Sequence, residues 1–198
     1  MRGLKSSGKW LFFGAALLVA VLATLPLRLL PLGLAAQEAS GSLWGGRLTA
    51  AQWGSMALGD MAVAVQPFPL LGGRVMAKVR GPRVEGTLML KGRETGVTGL
   101  RGQLVPAGLP LERFEMEGVE AVFAEGQCVR AAGQLGALLS ATSSPLTGDV
   151  QCAGPEARAS LASADGLQRL ELQISATGGW KARLASPEGP ELKMEGSL

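Results

Sequence analysis

The alternation of apolar and polar residues from about residue 40 onward is the feature that most constrains how this chain can fold. Within residues 74–80, Val75, Ala77 and Val79 alternate with charged or longer side chains. A period of two is typical of β-strands that bury one face. The same pattern recurs in residues 84–90, 114–116, 170–174, 180–184 and 192–194.

Glycine and proline separate these runs. The breaks predicted to be turns are residues 72–73, 81–82, 92–102, 106–108, 178–179 and 187–190. Short strands at roughly 10-residue spacing, each with one polar face, indicate an antiparallel meander. Because glycine within strands marks bulges and bends, we expect a strongly curved sheet. Residues 131–139 are the best candidate for a helical turn or short helix, and we expect one continuous sheet otherwise.

Residues 10–27 form 18 consecutive residues without a charge, and Arg2, Lys5 and Lys9 precede them. This length is just sufficient for a helix to cross a hydrocarbon core, and the basic flank predicts that the N-terminus is cytoplasmic. A cleaved signal peptide is the main alternative, although its apolar region would normally be shorter. A buried core helix is a further alternative. We therefore expect a cytoplasmic tail (1–9), an anchor with its juxtamembrane segment (10–34) and an extracytoplasmic β domain (39–198).

The positive net charge of the whole chain does not indicate nucleic-acid binding. Of 19 basic residues, Arg2, Lys5, Lys9 and Arg28 flank the apolar segment, and Glu38 is the first of 16 acidic residues. Residues 39–198 therefore carry 15 basic and 15 acidic residues, a net charge of zero. No electrostatic footprint for DNA remains in the predicted domain.

The residue types argue against an enzyme or a metal protein. The sequence contains no histidine, the commonest general base and metal ligand. Residues 3–9 resemble the start of a phosphate-binding loop, but Trp10 follows where the motif needs serine or threonine. Four acidic residues could suggest a calcium site: Glu112, Glu115, Glu117 and Glu120. They lack the glycine-spaced aspartate pattern of a calcium-binding loop, so we interpret them as the solvated face of a strand. We expect no catalytic residues, no cofactor and no metal.

Cys128 and Cys152 are the two cysteines of the chain, and both lie in strand-like contexts. If the anchor places them outside the cytoplasm, an even pair indicates a disulfide. Two buried free thiols are the alternative. A zinc site is disfavoured because two cysteines without histidine cannot complete its ligand shell.

The most specific local signal is GSLWGGRLTAAQW at residues 41–53, followed by LGDMAVAVQPFPLLGGRVMAKVRG at residues 58–81. With the cysteine contexts at residues 122–133 and 146–152, these segments resemble protein N of the bacterial type II secretion system. The residues that match the family's G-x-L-W-x-G and P-x-x-L-L-x-G motifs are Gly41, Leu43, Trp44, Gly46, Pro67, Leu70, Leu71 and Gly73. Val63 departs from the pattern, since the family usually carries tryptophan before the proline. From the residues alone, Leu43 and Trp44 are expected to lie in a strand that seals one end of the sheet.

The resemblance implies a single-pass protein of the Gram-negative inner membrane with a periplasmic β domain. Its implied role is that of a non-enzymatic accessory or structural component of the secretion apparatus. Implied partners are other inner-membrane proteins of the assembly platform and the protein that bridges to the outer-membrane secretin. The alternative is a periplasmic lipid-binding groove resembling AsmA-like lipid-transfer proteins, because an open curved sheet with one apolar face could hold acyl chains.

Overall fold

A computed structural model describes residues 13–14, 17, 36–53, 56–105, 110–140, 144–186 and 191–197. Within these residues the chain forms one 13-stranded sheet in which each strand pairs with the next along the sequence. All pairs are antiparallel. The elements are β1 (Glu38–Ser42), β2 (Gly45–Trp53), β3 (Met56–Val65), helix α1 (Pro67–Leu70), β4 (Val75–Arg80), β5 (Val84–Lys91), β6 (Glu94–Leu104), β7 (Leu111–Ala124), β8 (Gln127–Leu139), β9 (Pro145–Ala153), β10 (Glu156–Ser163), β11 (Arg169–Ile174), β12 (Gly179–Ala185) and β13 (Leu192–Ser197). The predicted antiparallel meander is confirmed.

The hydrophobic core lies on one face of this sheet, here called the inner face. Leu146 and Leu161 are fully buried there, and they belong to a cluster that reaches from Leu48 in β2 to Leu184 in β12. No second layer covers this face among the described residues. Its side chains are therefore buried against one another, which requires the sheet to curve around them.

Bulges supply local bends for this curvature. The pairings of β2 with β3, β5 with β6, β6 with β7 and β7 with β8 all contain register shifts. Gly99 in β6 and Gly118 in β7 adopt φ of +61° and +60°, values that side chains other than glycine rarely tolerate. An extra residue on one strand bends that strand and increases its twist. Glycines in β6 and β7 therefore adopt backbone conformations that accompany local bends of the sheet, as the sequence predicts.

Residues 92–102 and 131–139 differ from the local structure that the sequence predicts. Residues 92–102, predicted to be a turn, lie mostly in β6, where Gly96 fits closely against β7 because a Cβ at this position would lie 2.5 Å from the Ala121 carbonyl oxygen. Residues 131–139, the candidate short helix, lie in β8. There Leu135, Ala137 and Leu139 are all buried, which is the alternation of a strand.

The predicted anchor at residues 10–27 lies outside the described residues except for Phe13, Gly14 and Leu17. The predicted turns at 106–108 and 187–190 also fall on positions that are not described. In the part of the chain that is described, no helix has the length and apolar character needed to span a membrane.

Candidate interaction surfaces

The two cysteines form the disulfide that the sequence favours. Cys128 lies near the start of β8 and Cys152 near the end of β9, and their Cα atoms are 5.5 Å apart. The register of these two strands runs only from the Leu138–Pro145 pair to the Gln134–Asp149 pair among the described residues. The disulfide therefore links the ends of two strands beyond the point where their ladder stops.

The G-x-L-W-x-G residues close the first hairpin instead of forming a central strand. Leu43 and Trp44 occupy the turn between β1 and β2, which corrects the expectation that they lie in a strand. Both side chains pack, partly buried, against the core, and the Leu43 carbonyl oxygen accepts a 3.0 Å hydrogen bond from the Val65 N–H. Gly41 has φ of +90°, and a Cβ there would lie 2.7 Å from the Gly45 carbonyl oxygen. The tight turn excludes larger residues at this position and directs Leu43 and Trp44 onto the core.

The P-x-x-L-L-x-G residues form a tip that projects from the sheet between β3 and β4. The side chains of Phe68 and Leu71 are 82% and 89% exposed, and that of Leu70 is 36% exposed. Sequence reasoning assigned this motif a structural role and did not single out Phe68. Strong exposure of two large apolar side chains cannot be read from periodicity, because it depends on what the rest of the fold leaves uncovered.

The backbone of this apolar tip (Pro67–Gly73) is held by its own hydrogen bonds. The N–H groups of Leu71, Gly72 and Gly73 donate to carbonyl oxygens three residues earlier, at 3.0–3.2 Å. The Arg74 N–H donates to the Pro69 carbonyl oxygen at 3.0 Å, and Pro67 and Pro69 restrict φ. The tip thus presents Phe68 and Leu71 from a short segment with little backbone entropy left to lose.

The tip and the start of β1 lie at opposite ends of the sheet. Strands alternate in direction along the meander, so the turns that follow β1 and β3 share one end. The chain enters β1 at Glu38, at the other end. The apolar tip therefore lies at the end of the sheet opposite Glu38.

Two strand edges have no neighbour among the described strands. β1 pairs only with β2, and β13 pairs only with β12. Near β13 the inner face becomes accessible, since Ile174 in β11 is 39% exposed and Leu192 in β13 is 46% exposed. An unpaired edge beside an apolar surface can accept a strand from another chain.

Several charged side chains form solvated ion pairs with one another. Glu120 pairs with Arg130 at 3.0 Å and Glu115 with Arg113 at 3.6 Å, so these members of the acidic set on β7 lie beside basic residues. Glu112 and Glu117 are exposed on the same strand. No group of three metal-binding side chains occurs among the described residues.

Hydrogen bonds in the turn between β10 and β11 shift the pKa of Asp165. Hydrogen bonds from the Ser163 hydroxyl and the Leu167 N–H lower the pKa of Asp165 below its ordinary value. The Ser163 hydroxyl also accepts from the Gln168 N–H at 3.0 Å, so the network closes the turn between β10 and β11. The lowered pKa of Asp165 therefore results from the hydrogen bonds that form this turn.

These features define a class of protein, a β-meander with a disulfide, an exposed apolar tip and accessible strand edges. The family model for type II secretion system (T2SS) protein N matches residues 32–195, and the chain belongs to this family. The resemblance found in the sequence motifs is thereby confirmed. Membership indicates a component of the type II secretion apparatus that contacts other components of this membrane-associated machine. Comparisons with curated proteins and with solved structures find no match.

Proposed function

We propose that this protein is a non-enzymatic accessory component of the secretion apparatus that acts through protein–protein contacts. Residues 10–27 would anchor it in the inner membrane, and residues 39–198 would form its periplasmic domain. Its partners would be inner-membrane proteins of the assembly platform, with the secretin-bridging protein as a further candidate. The observation that carries this proposal is the apolar tip with its exposed Phe68 and Leu71.

The energetics of the apolar tip favour a binding role. Phe68 and Leu71 contribute little to the core of the isolated chain, because most of their surface is in water. Burying each of them against a partner would contribute roughly 1.5–3 kcal/mol. Aromatic and apolar anchors on a preorganised segment are the usual centres of binding energy in protein interfaces. An apolar pocket on another secretion component is the partner surface that fits these side chains.

The position of the apolar tip favours a protein partner over the membrane that would hold the chain's own anchor. The tip lies at the end of the sheet opposite Glu38, where the chain comes from the predicted anchor. Strands of about ten residues span roughly 30 Å, so a tip directed away from the anchor would reach into the periplasm. This placement suits contact with the periplasmic parts of neighbouring components.

The test is to change Phe68 and Leu71 to serine together in the full chain, in cells that contain the complete apparatus. We expect the protein to accumulate normally, because neither side chain is buried, but to lose co-purification with other secretion components and to reduce secretion. Leu167→Ser is the matched control, since it removes a leucine that is 60% exposed at the other end of the sheet. Normal complexes and secretion in the Phe68→Ser, Leu71→Ser variant would contradict the proposal.

A lipid-binding groove is the second candidate function, and the partly exposed apolar side chains of the inner face favour it. Ile174 and Leu192 leave apolar surface accessible near one edge of the sheet. A photo-crosslinking residue at position 174 should then capture phospholipid, which mass spectrometry of the full chain would detect. The same residue at the outward-facing position 181 is the control. Equal lipid labelling at both positions, or none, would exclude the groove.

A further inference from the structure

The edge strand β13 has two chemically distinct faces. Leu192, Met194 and Gly196 pair with Leu184, Ala182 and Trp180 of β12 and so lie on the inner face. Lys193 and Glu195 lie between them in the sequence and project from the outer face. The strand therefore offers an apolar row and a charged row along the same unpaired edge.

The apolar row contains a large side chain and a glycine, and an aromatic ring of the neighbouring strand covers that glycine. Leu192 is 46% exposed. A Cβ at Gly196 would lie 2.8 Å from atoms of the Trp180 indole, so this ring covers Gly196 and borders the free edge of the sheet. A strand added outside β13 would meet the aromatic surface of Trp180 over Gly196.

The charged row is self-complementary. If β13 pairs antiparallel with a copy of itself and Met194 faces Met194, then each Lys193 faces Glu195 of the other copy. Each Leu192 at the same time faces the other copy's Gly196, beside the Trp180 ring. The ion pair and the apolar contact each occur twice, because a two-fold axis relates the two strands. Glu195 faces Lys181 of β12 but has no ion pair among the described residues, and Lys193 lies 3.6 Å from Glu191 just before β13, so the dimer would place a second carboxylate beside Lys193.

Neighbouring registers are disfavoured. With Lys193 at the centre, lysine would face lysine and Glu191 would face Glu195. With Glu195 at the centre, glutamate would face glutamate. Like charges directly opposite each other destabilise a strand pair, so the charges select the register centred on Met194.

We propose that this protein forms a symmetric dimer through antiparallel pairing of β13 with β13 of a second copy, centred on Met194. The other edge strand lacks the same complementarity, since β1 has the sequence EASGS with one charged residue, and its Gly41 has positive φ. The dimer joins the two sheets into one and covers Leu192 on both copies. It uses a surface different from the apolar tip, so it does not depend on the proposed secretion contacts.

Pairing of five β13 residues from each copy gives a small interface, and membrane attachment would strengthen it. Two copies held in one membrane by the proposed anchor would meet at a raised effective concentration. The appropriate test therefore uses the full chain in its own membrane. Ser40→Cys on β1 is the matched control, because it places a thiol on the other unpaired edge.

The first experiment measures disulfide crosslinking between copies in intact cells. Met194→Cys should give a covalent dimer, because directly paired Cα atoms lie within about 4.5–5.5 Å of each other. Lys193→Cys alone should give little dimer, since its copies would lie about 8 Å apart. Lys193→Cys mixed with Glu195→Cys should crosslink efficiently. No more crosslinking at position 194 than at position 40, or crosslinking of position 194 only to another protein or to lipid, would overturn the dimer.

The second experiment reverses the charges and needs no new thiol. Glu195→Lys places lysine opposite lysine twice, so co-purification of two differently tagged copies should fall roughly tenfold. The double variant Lys193→Glu, Glu195→Lys exchanges the charges and should restore co-purification. Equal co-purification of all three proteins would overturn the proposed register. Restoration by the double variant also shows that the single variant did not fail through misfolding.

Discussion

At the scale of single residues, the glycines of this sheet differ in whether the surrounding atoms leave space for a side chain. Gly148 in β9 approaches β10 so closely that a Cβ would overlap the Ser160 carbonyl oxygen. Gly45 at the start of β2 has no positive φ, and a Cβ added there would meet no atom within 4 Å. The sequence indicates that glycines shape the sheet, but the neighbouring backbone identifies which of them tolerate no side chain.

We predict that Gly148→Ala lowers the free energy of unfolding by about 1–3 kcal/mol, because the added methyl group forces two strands apart. Gly45→Ala should leave stability nearly unchanged and serves as the matched control. Chemical denaturation of both variants measures the difference. Equal stability of Gly148→Ala and the unchanged protein would show that β9 and β10 can separate without loss.

At the scale of elements, apolar–polar alternation predicts regular strands well, but it does not predict a strand that contains several glycines. Residues 75–80 alternate cleanly and form β4. Residues 92–102 contain several glycines and look like a turn, yet most of them form β6, because Gly96 fits where β7 leaves no space for a side chain. That requirement comes from a neighbouring strand, so a local pattern does not contain it.

The disulfide is the covalent link between elements, and it fastens β8 to β9 beyond their shared ladder. Its cysteines are separated by 24 residues, and closing such a loop stabilises the folded chain by roughly 3–4 kcal/mol in the chain-entropy description. We predict that changing both Cys128 and Cys152 to serine lowers the unfolding midpoint substantially in thermal or chemical denaturation.

A reducing agent provides the control for this prediction. It should lower the midpoint of the unchanged protein toward that of the serine variant and leave the variant itself unaffected. A midpoint that is the same with and without reductant would mean that the link between β8 and β9 adds no stability.

At the scale of the whole molecule, the curved sheet has a closed part and an open part. Leu161 in β10 is fully buried, whereas Leu192 in β13 remains 46% exposed although both lie on the inner face. The difference follows from the position of each strand in the sheet: β10 has neighbours on both sides, whereas β13 has one neighbour among the described strands.

We predict that Leu161→Ala lowers the free energy of unfolding by about 2–5 kcal/mol, as expected for a leucine removed from a packed core. Leu192→Ala should cost less than about 1 kcal/mol in dilute protein, since much of this side chain is already in water. Denaturation at low protein concentration compares the two. Similar losses for both variants would mean that the core extends fully to β13.

The sequence alone was sufficient to predict the antiparallel β class, several of the strands, the disulfide between the two cysteines and the family. Alternation, spacing and motifs are properties of residues that lie close together in the sequence. The sequence did not reveal the exposure of Phe68 and Leu71, the close fit at Gly96 and Gly148, or the Trp180 ring over Gly196. These features arise between segments that are distant in sequence or from surface that the fold leaves uncovered. Burial and close approach depend on the path of the whole sheet, whereas strand periodicity depends only on neighbouring residues.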